Sequence, residues 1–292
     1  MTFMVLSPGI TAEGRRGSIA RDALRAFDQA AGPRAERRMR PSGAAVWRLA
    51  PDGTPATRQE LEALADSCQL DLALLAKPLR WRDFSVLAMD MDSTVITIEC
   101  IDEIADFCGR KAEVSAITEA AMRGEIKDYA ESLRQRVALL AGLSADVLDA
   151  VIRDRLRFTP GAGALVSAAT QAGLHTLLVS GGFEQFTSFV AREIGFRQVR
   201  SKSLEIVDGH LTGRLLGTIV DAAVKRDTMT LACRARHQGA RRAITVGDGA
   251  NDLLMMRISG LSIAHRAKPT VAAQAMQAIR HGGLDNILDW FE

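Results

Sequence analysis

Two carboxylates, Asp90 and Asp92, stand two residues apart where an apolar run from Phe84 to Met89 ends. An apolar run of this length between polar turn residues predicts a buried strand, and side chains at positions i and i+2 of a strand leave on the same side. We therefore expect both carboxylates to face one pocket. Two crowded negative charges are costly unless a cation neutralises them or they share a proton. The pair indicates metal or acid–base chemistry, although ordinary polar strand ends have the same spacing.

A second acidic cluster, Gly247-Asp248-Gly249-Ala250-Asn251-Asp252, follows another apolar run, Ala243 to Val246. In open α/β sheets, ligands bind outside the carboxyl ends of the strands, so clusters roughly 150 residues apart in sequence can meet there. A glycine-rich turn with Asp248 capping a helix is the alternative. The presence of both acidic clusters favours a shared site.

A third apolar run, Leu174 to Val179, ends in Ser180-Gly181-Gly182-Phe183 and precedes a predicted helix, Glu184 to Ile194. A hydroxyl group and glycine-exposed backbone N–H groups at the start of a helix can bind an anion. Each of the three signals is weak alone. Their combination predicts a site that binds an anion beside clustered acids.

The chain from about Trp81 onward alternates strand and helix patterns, which predicts an α/β fold with a parallel sheet. Four helical stretches in succession interrupt this alternation: Ile101 to Phe107, Val114 to Met122, Asp128 to Leu140 and Ala145 to Leu156. We expect this insertion to form a cap that closes over the site and excludes water. Asp208-Gly209, between two strand patterns at 199–207 and 211–215, predicts a hairpin at the edge of the sheet, away from the chemistry.

The first 80 residues have a different character. Between Arg15 and Arg40 there are eight arginines and three acids. A nucleic-acid-binding arm or an organellar presequence is an alternative here, but the apolar spacing from Ser18 to Ala30 favours an amphipathic helix with a solvated basic face. Turn-rich passages at 41–44 and 51–55 precede a second predicted helix, Arg58 to Ala65. Residues 1–80 therefore resemble a small α+β domain.

The composition is typical of a soluble enzyme. The chain has 292 residues, 47% of them hydrophobic, and a formal net charge of +2, which gives no strong field for nucleic acid or an anionic membrane. No window approaches the eighteen or so apolar residues of a membrane span, and residues 1–10 lack a basic signal region. We therefore expect a cytoplasmic protein with no nucleic-acid or membrane partner. The cysteines show no metal or disulfide pattern and are expected to be reduced: Cys68, Cys100, Cys108 and Cys233.

The chemical motifs occur in a familiar order. Asp90 to Thr94, Ser180 to Gly182, Lys225 and Gly247 to Asp252 resemble the four ordered motifs of the haloacid dehalogenase superfamily. More narrowly, Glu99-Cys100-Ile101-Asp102-Glu103-Ile104-Ala105 and Ser132-Leu133-Arg134-Gln135-Arg136-Val137 resemble the phosphoserine phosphatase branch. The likeness runs from about residue 81 to the end of the sequence.

This resemblance implies a Rossmann-type parallel sheet with a helical cap inserted after the first strand. The expected division is residues 1–80 as the N-terminal α+β domain, 81–98 with 157–292 as the catalytic core, and 99–156 as the cap. Some family members carry an N-terminal domain likened to amino-acid-binding ACT modules, and for this chain that is an analogy alone. The sequence leaves open whether the protein is a homodimer.

The resemblance also implies the catalytic roles. Asp90 is the expected nucleophile, which accepts the phosphoryl group, and Asp92 protonates the leaving alcohol and later takes a proton from water. Oxygen ligands beside a phosphate favour Mg²⁺, with Asp90, Asp248 and the backbone carbonyl of Asp92 as its expected ligands. Asp252 is expected to orient the motif lysine or to brace the metal site.

The expected phosphate ligands are Ser180 and the backbone N–H of Gly181, with Lys225 as a charge that steadies both nucleophile and phosphate. Only the motif order selects Lys225 over its basic neighbour Arg226. Asn251 is expected to hydrogen-bond the phosphate or the adjacent loop. These roles come from the resemblance, since an isolated lysine or asparagine is usually a solvated surface residue.

An α-amino acid substrate needs an acid for its ammonium group and preferably an arginine for its carboxylate. The resemblance assigns these roles to Glu99 and Arg136, both from the cap side. Glu99 as a helix-dipole acid and Arg136 as a solvated helix residue are the alternatives, and only the motif separates Arg136 from Arg134. Met122 and Tyr129 are candidates for apolar cover or cap packing, and Tyr129 stands where family members commonly have phenylalanine.

Three functions follow as hypotheses. The first is Mg²⁺-dependent hydrolysis of O-phospho-L-serine to L-serine and phosphate through a phosphoaspartate, the last step of serine biosynthesis. The second passes the phosphoryl group to another alcohol such as homoserine. The third is non-catalytic, with an amino-acid-binding module in residues 1–80. The complete set of acids and Lys225 argues against the third, and the extra acid Asp92 argues against a dehalogenase.

Overall fold

The computed structural model describes residues 2–50, 55–122 and 128–292, and the side chains of residues 119, 121 and 122 lie outside this description. Most of the predicted turn at 51–55 and the predicted cover from Met122 therefore fall outside the described part. Two β-sheets and eleven α-helices are described in this part of the chain. The fold is α/β with a mostly parallel central sheet and a separate N-terminal antiparallel sheet, as predicted.

The N-terminal unit is a four-stranded antiparallel sheet covered by two helices. Its strands lie in the order β2-β3-β1-β4: β1 Phe3–Pro8, β2 Glu36–Met39, β3 Ala45–Arg48 and β4 Leu70–Leu75. Helices α1 (Arg21–Ala31) and α2 (Arg58–Ser67) bury their apolar sides with Trp47 and Leu61 in one core. Helix α1 begins at Arg21. The sequence predicted a start at Ser18, but residues 18–20 are not helical.

The central sheet has seven strands in the order β11-β10-β9-β5-β6-β7-β8, and β8 alone runs antiparallel to its neighbour. The strands are β5 Val86–Met89, β6 His175–Phe183, β7 Gln198–Val207, β8 His210–Leu216, β9 Ala243–Gly247, β10 Leu261–His265 and β11 Gln277–Ile279. The connecting helices are α7 Ala162–Gln171, α8 Glu184–Ile194, α9 Ala222–Arg234, α10 Leu253–Ile258 and α11 Pro269–Ala272.

Strand β5 lies at the centre of the sheet, between β9 and β6. Its alternate side chains face two different apolar clusters: Val86 and Ala88 pack with Met229 of α9, and Leu87 and Met89 belong to the larger core. A strand covered by helices on both faces needs an unbroken apolar run rather than an alternating one. This burial explains the sequence pattern that first identified the strand.

Four helices lie between β5 and α7: α3 Cys100–Phe107, α4 Lys111–Met122, α5 Tyr129–Ala138 and α6 Asp146–Asp154. They form the predicted insertion. Backbone hydrogen bonds of 2.8 Å join Gly142 and Leu143 to Leu211 of β8, and another of 2.8 Å joins Ala145 to Gly209. The predicted β7–β8 hairpin therefore supports the cap.

A buried carboxylate joins the N-terminal unit to the central sheet. Asp71 of β4 accepts hydrogen bonds from the backbone N–H groups of Arg280, His281 and Gly282 at 2.7–2.9 Å. The side-chain amide of Asn286 donates to it at 2.8 Å. These four donors satisfy a carboxylate that is 3% exposed, so its burial stabilises the contact between the two sheets.

Arginines of the basic N-terminal stretch bind the C-terminal segment. Arg16 forms ion pairs with Asp285, at 3.2 Å, and with the buried Asp289. Arg40 donates a hydrogen bond of 2.7 Å to the carbonyl oxygen of Phe291. Part of this arginine cluster therefore serves contacts within the chain.

The four cysteines are free thiols, and Cys100 and Cys233 are buried. This agrees with the prediction of reduced cysteines. Among the helices of the described ranges, none has the length and apolar character that a membrane crossing requires.

Candidate active site

The register of the central sheet brings the chemical motifs together. Met89 of β5 pairs with Val246 of β9 on one side and with Leu178 of β6 on the other, all in parallel. The residues that follow these positions therefore emerge at one edge of the sheet. Asp90 and Asp248 both line a single cavity there.

The loop after β5, not the strand itself, orients the first two acids. The strand ends one residue before Asp90, so the predicted i, i+2 argument does not apply to Asp90 and Asp92. The carbonyl oxygen of Met91 accepts hydrogen bonds of 2.8–3.2 Å from the N–H groups of residues 94, 95 and 96, and Ser93 has φ +54°. This tight turn directs both carboxylates into the cavity.

Lys225 of α9 is bound between two acids. Its ammonium lies 2.7 Å from Oδ1 of Asp90 and 2.8 Å from Oδ1 of Asp252, and all three residues are buried. The other oxygen of Asp252 accepts the N–H of Gly249 at 3.1 Å. Burial acts to lower the pKa of Lys225, but the carboxylates of Asp252 and Asp90 outweigh it and raise that pKa, so the lysine stays charged.

Three acids crowd beside this lysine. Carboxylate oxygens of Asp90, Asp248 and Asp252 all lie within 4.8 Å of one another. Burial, together with the charge of Asp90, raises the pKa of Asp248 to about 6, and Thr94 donates a hydrogen bond to Asp248 at 3.1 Å. One ammonium cannot neutralise three carboxylates. The excess negative charge and the hard oxygen donors fit a divalent cation.

Asp92 also lines the cavity and is bound by other groups. The backbone N–H of Cys100, at the start of α3, donates to its Oδ1 at 3.1 Å, and the Ser180 hydroxyl lies 3.5 Å from its Oδ2. Burial raises the pKa of Asp92, and the charge of Asp90 adds to this effect. A carboxyl group that keeps its proton to higher pH can serve as a general acid.

The Ser180-Gly181-Gly182 segment approaches its neighbours closely. The N–H of Gly182 donates to the Ser180 hydroxyl at 2.8 Å. A Cβ atom on Gly181 would lie 2.5 Å from the Tyr129 hydroxyl, and one on Gly182 would lie 2.7 Å from Oδ2 of Asp92. Such contacts are too short for a side chain. Glycine is therefore needed where the segment meets the cap and the acid.

Lys202 of β7 is a residue that the sequence analysis missed. Its side chain is 2% exposed, its ammonium donates to the carbonyl oxygen of Gly181, and it lies 5.3 Å from the ring centroid of Phe183. The prediction that the hairpin lies away from the chemistry is therefore wrong for β7. One signal was available, since Lys202 precedes the apolar Leu204 by two residues and shares its buried face.

The cavity at this edge has a volume of about 180 Å³. The cap contributes Glu99, Tyr129 and Arg136 to its lining, and Asn251, from the segment after β9, also lines it. Pockets for drug-sized ligands usually have volumes of roughly 300–1,000 Å³, so this cavity suits a small substrate. Ser180 and Lys225 lie beneath the lining, since both are fully buried.

Two cap residues have ionisable groups that could bind the two ends of an amino acid. Arg136 makes a long hydrogen bond of 3.4 Å from Nε to the carbonyl oxygen of Ser132, and within the described residues no carboxylate lies within 4.0 Å of its guanidinium. Glu99 accepts a hydrogen bond of 2.8 Å from the Ser93 hydroxyl. Removal from water and the charge of Asp92 raise the pKa of Glu99 to about 8. By contrast, the Arg134 side chain is 59% exposed and faces solvent.

A larger cavity, of about 830 Å³, lies between α2 and β11. Arg58, Glu62 and Arg280 line it, and Arg58 is already paired with Glu62 at 2.7 Å. The described residues that line it include no cluster of acids and no nucleophile. The chemistry is therefore assigned to the smaller cavity.

Comparisons with known proteins identify the family. The model of the haloacid dehalogenase-like hydrolase family matches residues 87–257. The phosphoserine phosphatase of Polaromonas sp. is 56% identical over 215 residues, which cover 72% of this chain and 91% of that protein.

Solved structures extend the likeness. The unliganded probable phosphoserine phosphatase of Vibrio cholerae superposes with a TM-score of 0.81 at 31% identity, covering 99% of this chain and 85% of that one. A phosphoserine phosphatase solved as a phospho-aspartyl intermediate analogue has a TM-score of 0.66 at 32% identity, covering 72% of this chain and 99% of its own. The first likeness includes the N-terminal unit, and the second covers less of this chain.

Proposed function

The chain belongs to the haloacid dehalogenase-like hydrolase family and is a phosphoric monoester hydrolase, and we propose that it hydrolyses O-phospho-L-serine to L-serine and phosphate. One observation carries the proposal. The proposed nucleophile Asp90 is bound to the buried ammonium of Lys225 and shares a small cavity with Glu99 and Arg136. Among the residues that the structure describes, no carboxylate lies within 4.0 Å of the Arg136 guanidinium. We further propose that this reaction is the last step of serine biosynthesis.

In the proposed reaction, an oxygen of Asp90 attacks phosphorus and forms an acyl phosphate while the bond between phosphorus and the serine oxygen breaks. Asp92 gives its proton to the leaving serine oxygen. Water then attacks the acyl phosphate, Asp92 takes a proton from this water, and phosphate leaves as the Asp90 carboxylate is restored. The phospho-aspartyl intermediate analogue of a 32% identical phosphatase supports this order.

The proposed metal is Mg²⁺, held by Asp90, Asp248 and the backbone carbonyl of Asp92. A hard divalent cation at this position would offset the negative charge of the phosphate and of the crowded acids. Asp252 is less suited to bind it directly, because its two oxygens already accept hydrogen bonds from Lys225 and Gly249. We assign Asp252 the role of orienting Lys225.

The proposed phosphate ligands are Ser180, the N–H of Gly181, Lys225 and Asn251. The amino acid part of the substrate would lie toward the cap, with its ammonium at Glu99 and its carboxylate at Arg136. A bidentate arginine contact gives both energy and orientation to carboxylate binding.

The proposed division of the chain has three parts: an N-terminal domain of residues 1–80, a core of 81–98 and 157–292, and a cap of 99–156.

One substrate panel tests this function. Purified protein with Mg²⁺ is given phosphoserine, phosphothreonine or sugar phosphates, with and without alcohols such as homoserine, and released phosphate is measured. We expect phosphoserine to have the highest kcat/KM, and chelation by EDTA to remove activity that Mg²⁺ restores. Preference for a sugar phosphate would refute the substrate assignment. Turnover that rises with the alcohol would favour phosphoryl transfer instead.

A further inference from the structure

We propose that Lys202 is a positioning residue for the phosphate-binding segment: its hydrogen bond to the Gly181 carbonyl fixes the peptide group whose N–H holds the Ser180 hydroxyl. The inference rests on the proposed phosphatase function and adds a residue from β7. No residue of this strand belongs to the motifs that identified the site.

The contacts form a continuous chain. The Lys202 ammonium donates to the carbonyl oxygen of Gly181, and the N–H of Gly182 in the same peptide group donates to Oγ of Ser180 at 2.8 Å. That oxygen lies 3.5 Å from Oδ2 of Asp92. Because a peptide group is planar, a rotation that moves its carbonyl also moves its N–H. Loss of the lysine contact would therefore release the serine hydroxyl.

The segment needs such a contact because it contains two consecutive glycines. Glycine has access to more backbone conformations than any other residue, so Gly181 and Gly182 do not define their own geometry. Side chains cannot replace them, since a Cβ atom on Gly181 would meet the Tyr129 hydroxyl at 2.5 Å. The pairing of β6 with β7 shifts register between Val179 and Phe183, so the ladder leaves this peptide to be fixed by the hydrogen bond from Lys202. Charge-assisted hydrogen bonds are roughly twice as strong as neutral ones.

Removing the charged Lys202 side chain from water also costs free energy. Its side chain is 2% exposed, and within the described residues no carboxylate lies within 4.0 Å of its ammonium. The ring of Phe183, 5.3 Å away, gives partial compensation through a cation–π contact. Burial lowers its pKa to about 8. A methionine here would avoid the cost of burying a charge, so a purely structural role does not explain the lysine.

The experiment is a double-mutant cycle of Lys202→Met and Ser180→Ala, with Lys202→Gln as a variant that keeps a neutral donor. We expect Lys202→Met to lower kcat/KM for phosphoserine by about 10- to 100-fold, the range for a hydrogen bond to a charged group, with a Tm equal to or above that of the wild type. Lys202→Gln should recover part of the loss. In the Ser180→Ala background, Lys202→Met should cost no more than about threefold. The matched control is Lys77→Met, which removes a lysine that is 74% exposed.

Two results would overturn the inference. The first is an equal loss from Lys202→Met with and without the Ser180 hydroxyl, which would mean that the lysine does not act through it. The second is a loss of activity that follows a fall in Tm, which would show a structural role. If the wild type does not hydrolyse phosphoserine, the proposed function fails. The same variants are then compared by their dissociation constants for inorganic phosphate, and we expect the same pattern.

Discussion

The ammonium of Lys225 lies 2.7 Å from the carboxylate of Asp90, and both side chains are almost completely removed from water. This contact joins the first motif to helix α9, because Lys225 follows Asp90 by 135 positions in the sequence. It fixes the direction of the carboxylate that we propose as the nucleophile. Arg226, the adjacent base, instead pairs with Asp227 at the surface. The structure therefore separates two basic neighbours that sequence spacing alone left equivalent.

Replacing Lys225 with methionine should destabilise the protein and abolish turnover. The change leaves Asp90 and Asp252 buried without their shared cation, and breaking a buried ion pair costs about 3–5 kcal/mol of unfolding free energy. Arg226→Met is the matched control, and its effect on the free energy of unfolding should be small because that ion pair is exposed. Urea unfolding and phosphate release measure both variants. Similar effects of the two changes would contradict the assignment of Lys225.

Asp90→Asn should remove turnover and leave the fold intact. An amide cannot form the acyl phosphate, so we expect kcat to fall by at least about 10⁴-fold. Loss of one negative charge from the crowded acids should leave Tm unchanged or higher, because Lys225 keeps its contact with Asp252. Asp227→Asn, at an exposed position, is the control for loss of an acid. Normal turnover in Asp90→Asn would exclude Asp90 as the nucleophile.

Asp92→Asn should lower kcat/KM for phosphoserine, which reports on formation of the acyl phosphate, by about 10²- to 10⁴-fold, because the serine oxygen then leaves without a proton. The loss should be much smaller for p-nitrophenyl phosphate, whose leaving group is stable as an anion. Steady-state kinetics with the two esters test this difference. An equal loss for both esters would indicate that Asp92 acts in another way, such as binding the metal.

Arg136→Ala should raise KM for phosphoserine far more than KM for a phosphate ester without a carboxylate. An arginine that pairs with the substrate carboxylate discriminates strongly between the two esters. We expect KM for phosphoserine to rise by about 10- to 100-fold, the range for loss of a hydrogen bond to a charged group. Arg134→Ala is the matched control on the same helix, since the Arg134 side chain is 59% exposed and lies 3.9 Å from Glu131. Equal effects on both esters would remove Arg136 from the set of specificity residues.

The buried His265 should make the protein less stable in acid. Burial and the charge of Arg266 lower its pKa from 6.5 to about 4. Between these values the unfolded chain binds the proton more tightly, so the free energy of unfolding falls as pH decreases from 6.5 to 4, by up to about 3 kcal/mol. His265→Leu should show a correspondingly shallower pH dependence in urea unfolding. His237→Asn, at an exposed histidine, should match the wild type, and parallel curves for all three proteins would contradict the prediction.

Local patterns predicted much of this fold. The unbroken apolar run before Asp90 predicted a strand buried on both faces, and Asp208-Gly209 predicted a two-residue hairpin turn, in which both residues have positive φ. Such features depend on neighbouring residues, so they can be read from a short window of sequence. The motif order likewise placed Asp90 and Asp248 at one edge of the sheet. The roles of Glu99, Arg136 and Asn251 remain predictions, although all three line the cavity.

Other features had no local signal. The directions of Asp90 and Asp92 come from a tight turn in which Ser93 has positive φ, not from the strand that precedes it. The contact of Lys202 with Gly181 depends on where β7 lies beside β6 and how the strand is rotated. The anchoring of the N-terminal unit through Asp71 depends on donors more than 200 positions away.

By itself, the sequence determined the strands that precede the three motifs, the hairpin and the helical insertion. It also determined which acids could act as nucleophile and general acid, and the family to which the chain belongs. Only the tertiary structure decided which cation faces which acid, and that a hairpin lysine reaches the Ser180-Gly181-Gly182 segment. The reason is physical. Hydrophobic periodicity and turn chemistry act between near neighbours, whereas a contact such as Lys225 with Asp90 depends on the register and packing of strands that are distant in the chain.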